Sequence, residues 1–158
     1  MASAAYVGVA REALHALKYR RRKDLAPLLA KRVAESAGFP PGDWLVVPVP
    51  MPDDRLKERG YNQAALLGRA IARRRKLRFA EPLRRARTTA PQHALPPGER
   101  LANAKDAFAC DGSVRGQRVL LVDDVMTTGA TVHWAAKAML DAGAVEVRVA
   151  VVARTLPR

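Results

Sequence analysis

A chain of 158 residues with 49% hydrophobic and 27% charged side chains can build one domain around a sizeable core, and this balance excludes whole-chain disorder and collagen. The formal net charge is +13, yet residues 119–158 hold four basic and four acidic side chains, so the whole excess lies in 1–118. Such a field attracts phosphates, nucleic acid or anionic lipid, unless it is only a solvated surface. The single Cys110 excludes an internal disulfide and a cysteine-based zinc site. With no basic n-region in 1–10 and no run of about 18 uncharged apolar residues, neither a signal peptide nor a membrane span is expected, and a cytoplasmic location is.

In chain order, Ala13, Leu14, Leu17, Leu25, Leu28, Leu29 and Val33 recur at helical spacing. They predict helices at about 6–18 and 25–36, with the basic run 18–23 between them, Asp24 as cap and Pro27 in the first turn of the second. The apolar run 45–49 predicts a buried strand closed by Pro48 and Pro50, and 51–59 reads as a charged loop. A helix follows at about 62–75 with Ala65, Leu66, Ala70 and Ile71 inward, ending in Arg73, Arg74, Arg75 and Lys76. Residues 81–103 read as a long mobile excursion anchored by Leu83 and Leu95, then a short strand at 107–109 and a turn at 111–117. The best-defined unit is last: strand 118–123, loop 124–130, helix 131–142 with Val132, Ala135, Ala136, Met139 and Leu140 inward, a stop at Gly143, and strand 145–152. This order makes a parallel crossover. The fold expected is α/β: four or five parallel strands, helices on both faces, and a hood from 1–36 or 80–105 over the carboxyl edge.

The stretch 119–131, Val-Leu-Leu-Val-Asp-Asp-Val-Met-Thr-Thr-Gly-Ala-Thr, places two carboxylates at the carboxyl end of a central strand, where α/β sheets bind ligands. The hydroxyls and free N–H groups of Thr127, Thr128, Gly129, Ala130 and Thr131 can converge on one anion at a helix start. Asp123 and Asp124 can accept from neutral hydroxyls beside it, or hold a hydrated Mg²⁺. That combination suits a sugar phosphate; a capped helix beside a structural acidic pair is the plain alternative. The glycine-lysine-threonine order of a Walker A loop and the G-x-G-x-x-G of a dinucleotide site are both absent.

The segment resembles the phosphoribosyl-pyrophosphate motif of type I phosphoribosyltransferases. Leu17-Lys18-Tyr19, Val46-Val-Pro-Val-Pro50, Arg59-Gly-Tyr-Asn-Gln63 and Leu83-Arg84-Arg85, followed by Thr88, Gln92, Arg100, Asn103 and Phe108, extend the likeness to the ComF family, the competence protein F and GntX-like proteins. The resemblance implies one phosphoribosyltransferase-like domain over 1–158, with N-terminal helices in 1–36, a core in 45–158 and a mobile loop at about 84–103. It implies that Asp123 and Asp124 hold the ribose hydroxyls and Mg²⁺, that 127–131 cradle the 5′-phosphate, and that Arg55, Lys57 and Arg59 face the pyrophosphate. Asp123, Asp124 and Arg59 are then the catalytic candidates, with Arg85, Arg87, Gln92 and Arg100 as polar groups of the loop. Many family members carry a four-cysteine zinc ribbon before the position of Tyr6; it is absent here, so no zinc is expected.

Other residues read more plainly. His15 is expected to be a packed or a boundary histidine, His93 lies in the loop, and His133 decorates the first turn of the last helix. Cys110, Trp44, Trp134 and Tyr61 are expected to pack. The runs 20–23 and 73–76 are the candidate nucleic-acid contacts, through Arg21, Arg22, Arg74 and Arg75. Three functions remain open: a phosphoribosyl-pyrophosphate-binding protein linked to DNA uptake and natural transformation, with single-stranded DNA or DNA-processing proteins as partners and room for an oligomer; an active phosphoribosyltransferase of nucleotide salvage; and a ligand-responsive regulator.

Overall fold

The computed structural model describes residues 2–85 and 107–155, with 2–5 as backbone only. Five parallel strands form its central sheet: β1 (Ala2–Ala5), β2 (Leu45–Pro48), β3 (Arg78–Phe79), β6 (Arg118–Met126) and β7 (Glu146–Arg154). Their order across the sheet is β1-β7-β6-β2-β3. Two further strands, β4 (Leu83–Arg85) and β5 (Phe108–Cys110), pair antiparallel as a separate ribbon. The helices are α1 (Gly8–Tyr19), α2 (Leu25–Ala34), α3 (Asp53–Arg59), α4 (Gln63–Arg75) and α5 (Ala130–Asp141).

Strand alternation divides the interior into two cores. Val46, Leu120, Val122, Ala150 and Val152 face α1, α2 and α4. Leu45, Val47, Val119 and Leu121 face α5 and the ribbon, whose Leu83 and Phe108 are buried with them. The chain steps from β2 through α4 to β3 in one direction, and from β6 through α5 to β7 in the other. Right-handed crossovers stepping in opposite directions require helices on opposite faces, as found. The switch point therefore lies between β2 and β6, and their carboxyl ends open a crevice there.

The expected helices and the parallel crossover are present, and several boundaries and faces differ. Residues 53–59 are helix α3, not loop. No residue of α3 is buried, so it has no apolar period to detect. Its signal is charge order: Asp53 and Asp54 in the first turn, Lys57 and Arg59 in the last, matching the helix dipole, and Gly60 in the left-handed region (φ 78°) closing it. β6 continues through the acidic pair to Met126, because its ladder with β7 continues to Arg154. β1 and β3 carried no pattern to read, being four small residues and two. The fully buried stripe of α4 is Ala64, Leu67, Gly68, Ile71 and Ala72, with Ala65, Leu66 and Ala70 half-buried. α2 and the sheet cover this helix from two sides, which shifts the stripe. Gly68 sits where a Cβ would lie 3.0 Å from Phe79, so β3 rests directly on the helix backbone.

Leu28 and Leu140, expected inward, are 59% and 48% exposed. His15 is exposed against the Tyr19 ring rather than packed. Asp24 stands at the N-cap of α2 but makes no cap bond, because its carboxylate accepts Arg22 Nε at 2.9 Å and Nη2 at 2.7 Å. Trp44 is fully buried, as expected, with its Nε1 donating to the Pro41 carbonyl at 2.9 Å. The hood expectation divides. α1 begins beside the end of β7, where Tyr6 N–H meets the Arg154 carbonyl, and ends over the carboxyl end of β6; α2 packs on the sheet face as core. The expected mobile loop lies outside the described residues beyond Arg85, and with it Arg87, Thr88, Gln92, His93, Leu95, Arg100 and Asn103.

Candidate functional site

A polar cleft of about 170 Å³ opens at the switch point. β2 and the segment after it supply Val49, Pro50 and Met51; α3 supplies Arg55 and Arg59; the end of α1 supplies Lys18 and Tyr19; the ribbon supplies Arg85; and β6 supplies Asp123 and Asp124. A smaller recess of about 30 Å³ adjoins it, bounded by Asp123 and residues 125–132. Asp123 and Thr131 border both spaces.

Parity places the carboxylates. With Val119 and Leu121 on the α5 side and Leu120 and Val122 on the α1 side, the next two residues are handed alternately to each. Asp123 meets the recess before α5. Asp124 is buried on the α1 side, where its Oδ2 lies 2.8 Å from Lys18 Nζ. That contact is an ion pair outside hydrogen-bond alignment. Backbone N–H groups orient both acids: Asp124 N–H donates to Asp123 Oδ1 (2.8 Å), and Val125 N–H to Asp124 Oδ1 (2.7 Å). Burial, and then the negative charge of Asp124, push the Asp123 carboxyl up to about 7; the hydrogen bond from Asp124 N–H, then Lys18 and Arg85, offset this only partly.

The recess is built by a left-handed Gly129 (φ 82°, ψ −4°) at the N-cap of α5. Ala130 N–H reaches Thr128 Oγ1 at 3.4 Å, and the hydroxyls of Thr127, Thr128 and Thr131 are exposed around it. Thr155 holds the loop from behind, its N–H on the Met126 carbonyl at 3.1 Å and its Oγ1 3.4 Å from that of Thr127. The recess so built can hold an anion: it offers first-turn N–H groups without helical partners and hydroxyl donors, and among the described residues no carboxylate but Asp123 lines it.

On the opposite wall Arg59 Nη1 donates to Gln63 Oε1 (2.6 Å), with its guanidinium 5.2 Å from the centre of the Tyr19 ring. Arg85 Nε donates to the Pro50 carbonyl at 3.0 Å and stacks on Phe108. Asn62 fixes the turn between, its Nδ2 on the Val49 carbonyl and its Oδ1 capping α4 through Ala64 N–H, both at 2.9 Å. Of the three cations expected on this wall, Arg55 and Arg59 border the cleft; Lys57 is exposed on α3 outside its lining. Lys18 and Tyr19 are site residues for which the chain order offered no role. Their signal was only a basic helix end, and α1 brings them to β6 from more than 100 positions away.

The end of α1 is fastened by Tyr61, buried as expected, whose Oη donates to the Leu17 carbonyl in the last turn, where no helical N–H can serve it. Tyr61→Phe is expected to lower stability by about 1–3 kcal/mol by leaving that carbonyl unpaired. Thermal melts check this, and an unchanged melting temperature would refute it. No group of three His, Cys, Asp or Glu side chains among the described residues could by itself hold a metal. Two carboxylates beside an anion cradle do fit Mg²⁺, which keeps its waters and takes one or two carboxylates together with phosphate oxygens of a substrate.

The basic runs do not form one patch. α2 and α4 lie side by side; 20–23 is at their site end and 73–76 at the other, where Arg74 pairs with Glu35 at 2.5 Å. Ten residues of helix separate them, roughly 15 Å. Arg22 is paired with Asp24, and Arg75 stacks on Phe39. Arg21 and Arg73 make no ion pair among the described residues.

Residues 78–156 match the model of the phosphoribosyl transferase domain. The chain belongs to this family. DNA utilization protein YhgH of Salmonella typhi is 36% identical over 151 residues, which cover 90% of this chain and 66% of that protein. Competence protein ComFC of Bacillus subtilis is 34% identical over 105 residues, 66% of this chain and 42% of that one. These are the relatives that the ComF resemblance anticipates, and the chain spans just under two thirds of the YhgH length. Among solved structures, the glutamine phosphoribosylpyrophosphate amidotransferase of B. subtilis, complexed with ADP and GMP, superposes with a TM-score of 0.53 at 25% identity, over 81% of this chain and 25% of that one. Adenine phosphoribosyltransferase of Thermoanaerobacter pseudethanolicus shares the fold at a TM-score of 0.52 and 18% identity, over 82% and 68% of the two chains.

Proposed function

We infer that the cleft binds phosphoribosyl pyrophosphate. The observation that carries this reading is the anion recess and the polar cleft meeting at Asp123 and Thr131. A 5′-phosphate in the recess puts the ribose beside the acids, and a pyrophosphate then extends toward Arg55, Arg59 and Arg85. Mg²⁺, when bound with the ligand, would neutralise the pyrophosphate and would rest on Asp123. The chain's own part is to orient the sugar through the cradle and both carboxylates and to set guanidinium charge against the leaving group. Calorimetric titration with phosphoribosyl pyrophosphate and Mg²⁺ is expected to show saturable heat at millimolar ligand or below; its absence would remove this reading. Pyrophosphate release with a panel of purine and pyrimidine bases separates a transferase from a binding protein or a ligand-responsive regulator.

The names of the YhgH and ComFC relatives support a role in DNA utilization and competence; we propose further that the chain works in the cytoplasm, with single-stranded DNA or DNA-processing proteins as partners. No helix among the described residues is long and apolar enough to cross a membrane. The unpaired cations favour one refinement: changing Arg21 and Arg73 to Ala should flatten the salt dependence of oligonucleotide binding by roughly 0.7 per lost phosphate contact. Changing the engaged Arg22 and Arg74 should do less. A flat salt dependence in the parent, or no difference between the two pairs, would return the charge to solvated surface.

A further inference from the structure

The two carboxylates of the site are served unequally. Asp124 is committed within the protein: one oxygen accepts Val125 N–H, and the other faces the Lys18 ammonium. Among the described residues Asp123 accepts only the backbone N–H of Asp124, and it borders both the cleft and the recess. A lysine in the last turn of a helix ordinarily extends into water near the final carbonyls. Lys18 instead turns inward, 20% exposed, onto a carboxylate that is 5% exposed. Three contacts hold the helix end that carries it: the Tyr61 hydroxyl on the Leu17 carbonyl, Lys23 over the Tyr61 ring, and Arg59 over the Tyr19 ring.

Building on the reading of the cleft as a phosphoribosyl-pyrophosphate site, we propose that Lys18 is a built-in cation of that site: its ammonium occupies the place at Asp124 that a divalent ion would need, so the ribose end of the ligand is held without a metal bound to this carboxylate. The ammonium sets its charge against Asp124 outside hydrogen-bond alignment, so its three N–H donors stay available to ligand oxygens. Asp123 would then be the carboxylate left to hold Mg²⁺ brought in with the pyrophosphate. Lys18 is in this sense a positioning residue, keeping Asp124 oriented for a ribose hydroxyl.

The test is calorimetric, with ribose 5-phosphate and phosphoribosyl pyrophosphate as probes, each with chelator and with millimolar Mg²⁺. The parent should bind ribose 5-phosphate equally well in both conditions. Lys18→Met should weaken that binding by roughly 10-fold or more, the loss of a charge-assisted contact, and Mg²⁺ should restore part of it through the vacated Asp124. Lys18→Arg should return the metal independence. Should Lys18→Met fail to fold, the double variant Lys18→Met with Asp124→Asn removes both charges, and it should bind weakly and ignore Mg²⁺. A Lys18→Met protein with parental affinity and parental Mg²⁺ response overturns the role of Lys18 alone, as does a double variant that binds like the parent. A parent whose ribose 5-phosphate binding requires Mg²⁺ overturns it too. A folded parent that binds neither probe overturns the site reading, and this inference with it.

Discussion

Asp123→Asn is expected to weaken phosphoribosyl-pyrophosphate binding by roughly 10- to 100-fold, the value of a charge-assisted hydrogen bond, while making the free protein more stable at neutral and alkaline pH. The carboxyl is raised from 3.8 to about 7 by burial and by Asp124. Between those values the native protein retains a proton that the unfolded chain has lost, so this group's contribution to stability falls as pH rises through the window, and the loss is complete above about pH 7. At about 1.4 kcal/mol per unit, the penalty is on the order of a few kcal/mol. Asparagine keeps an oxygen for Asp124 N–H and carries no charge, so it escapes the penalty. Asp24, Glu35, Asp111 and Glu146 are held below their ordinary values, chiefly by hydrogen bonds from Arg22, Arg74, Ser113 and Arg148 respectively. They act in the opposite sense, losing their contribution as pH falls through the acid range. The informative quantity is therefore the difference in melting temperature between variant and parent: near zero at pH 4, favouring the variant increasingly toward pH 8. The same pair, titrated with ligand, should show parental affinity rising with pH through 7 more steeply than the variant's, the ligand phosphate contributing equally to both. A variant less stable than the parent at pH 8 would refute the assignment.

Gly129→Val should abolish binding of ribose 5-phosphate, by about 100-fold or more given several charge-assisted donors at about 1.5–3 kcal/mol each. The reason is backbone conformation rather than crowding. A Cβ at this position would have Met126 Sδ as its nearest neighbour, at 3.9 Å, so there is room for a side chain. The φ of 82° is what an L-residue resists, by roughly 1–2 kcal/mol, and a β-branched one resists it most. Valine should relieve that strain by turning the loop and carrying the cradle N–H groups away from their common focus. Asparagine tolerates the left-handed region, so Gly129→Asn should retain most of the affinity. Calorimetry on both variants, with melts to show that each is folded, separates conformation from size; equal behaviour of Val and Asn would refute the account.

The parts legible from sequence were those whose physics is local. The Val119–Val122 run reads as a strand buried on both faces, and the Thr-Thr-Gly-Ala-Thr turn before a helix carries the donors that suit an anion. Their order along the chain was enough to place acids and cradle together at a sheet edge. Helix α3 escaped because it buries nothing, so periodicity is silent and only its charge order remains. The part played by Lys18 escaped for a different reason. Nothing in Leu17-Lys18-Tyr19 distinguishes a lysine that salt-bridges a distant aspartate from one that ends a helix in water; the distinction is made by where Tyr61 fastens α1.

The alternation of β6 has a consequence for how this chain tolerates change. Swapping Val119 or Leu121 for another aliphatic residue alters the volume of one core and leaves the site's wiring intact. Deleting any one residue of 119–122 reverses every assignment downstream: Asp123 would be delivered to Lys18, Asp124 to the anion turn, and each apolar side chain to the opposite layer. The strand is thus a counter as much as a wall. Its composition is open to drift, and its length between Arg118 and the acids is the quantity on which both cores and the site jointly depend.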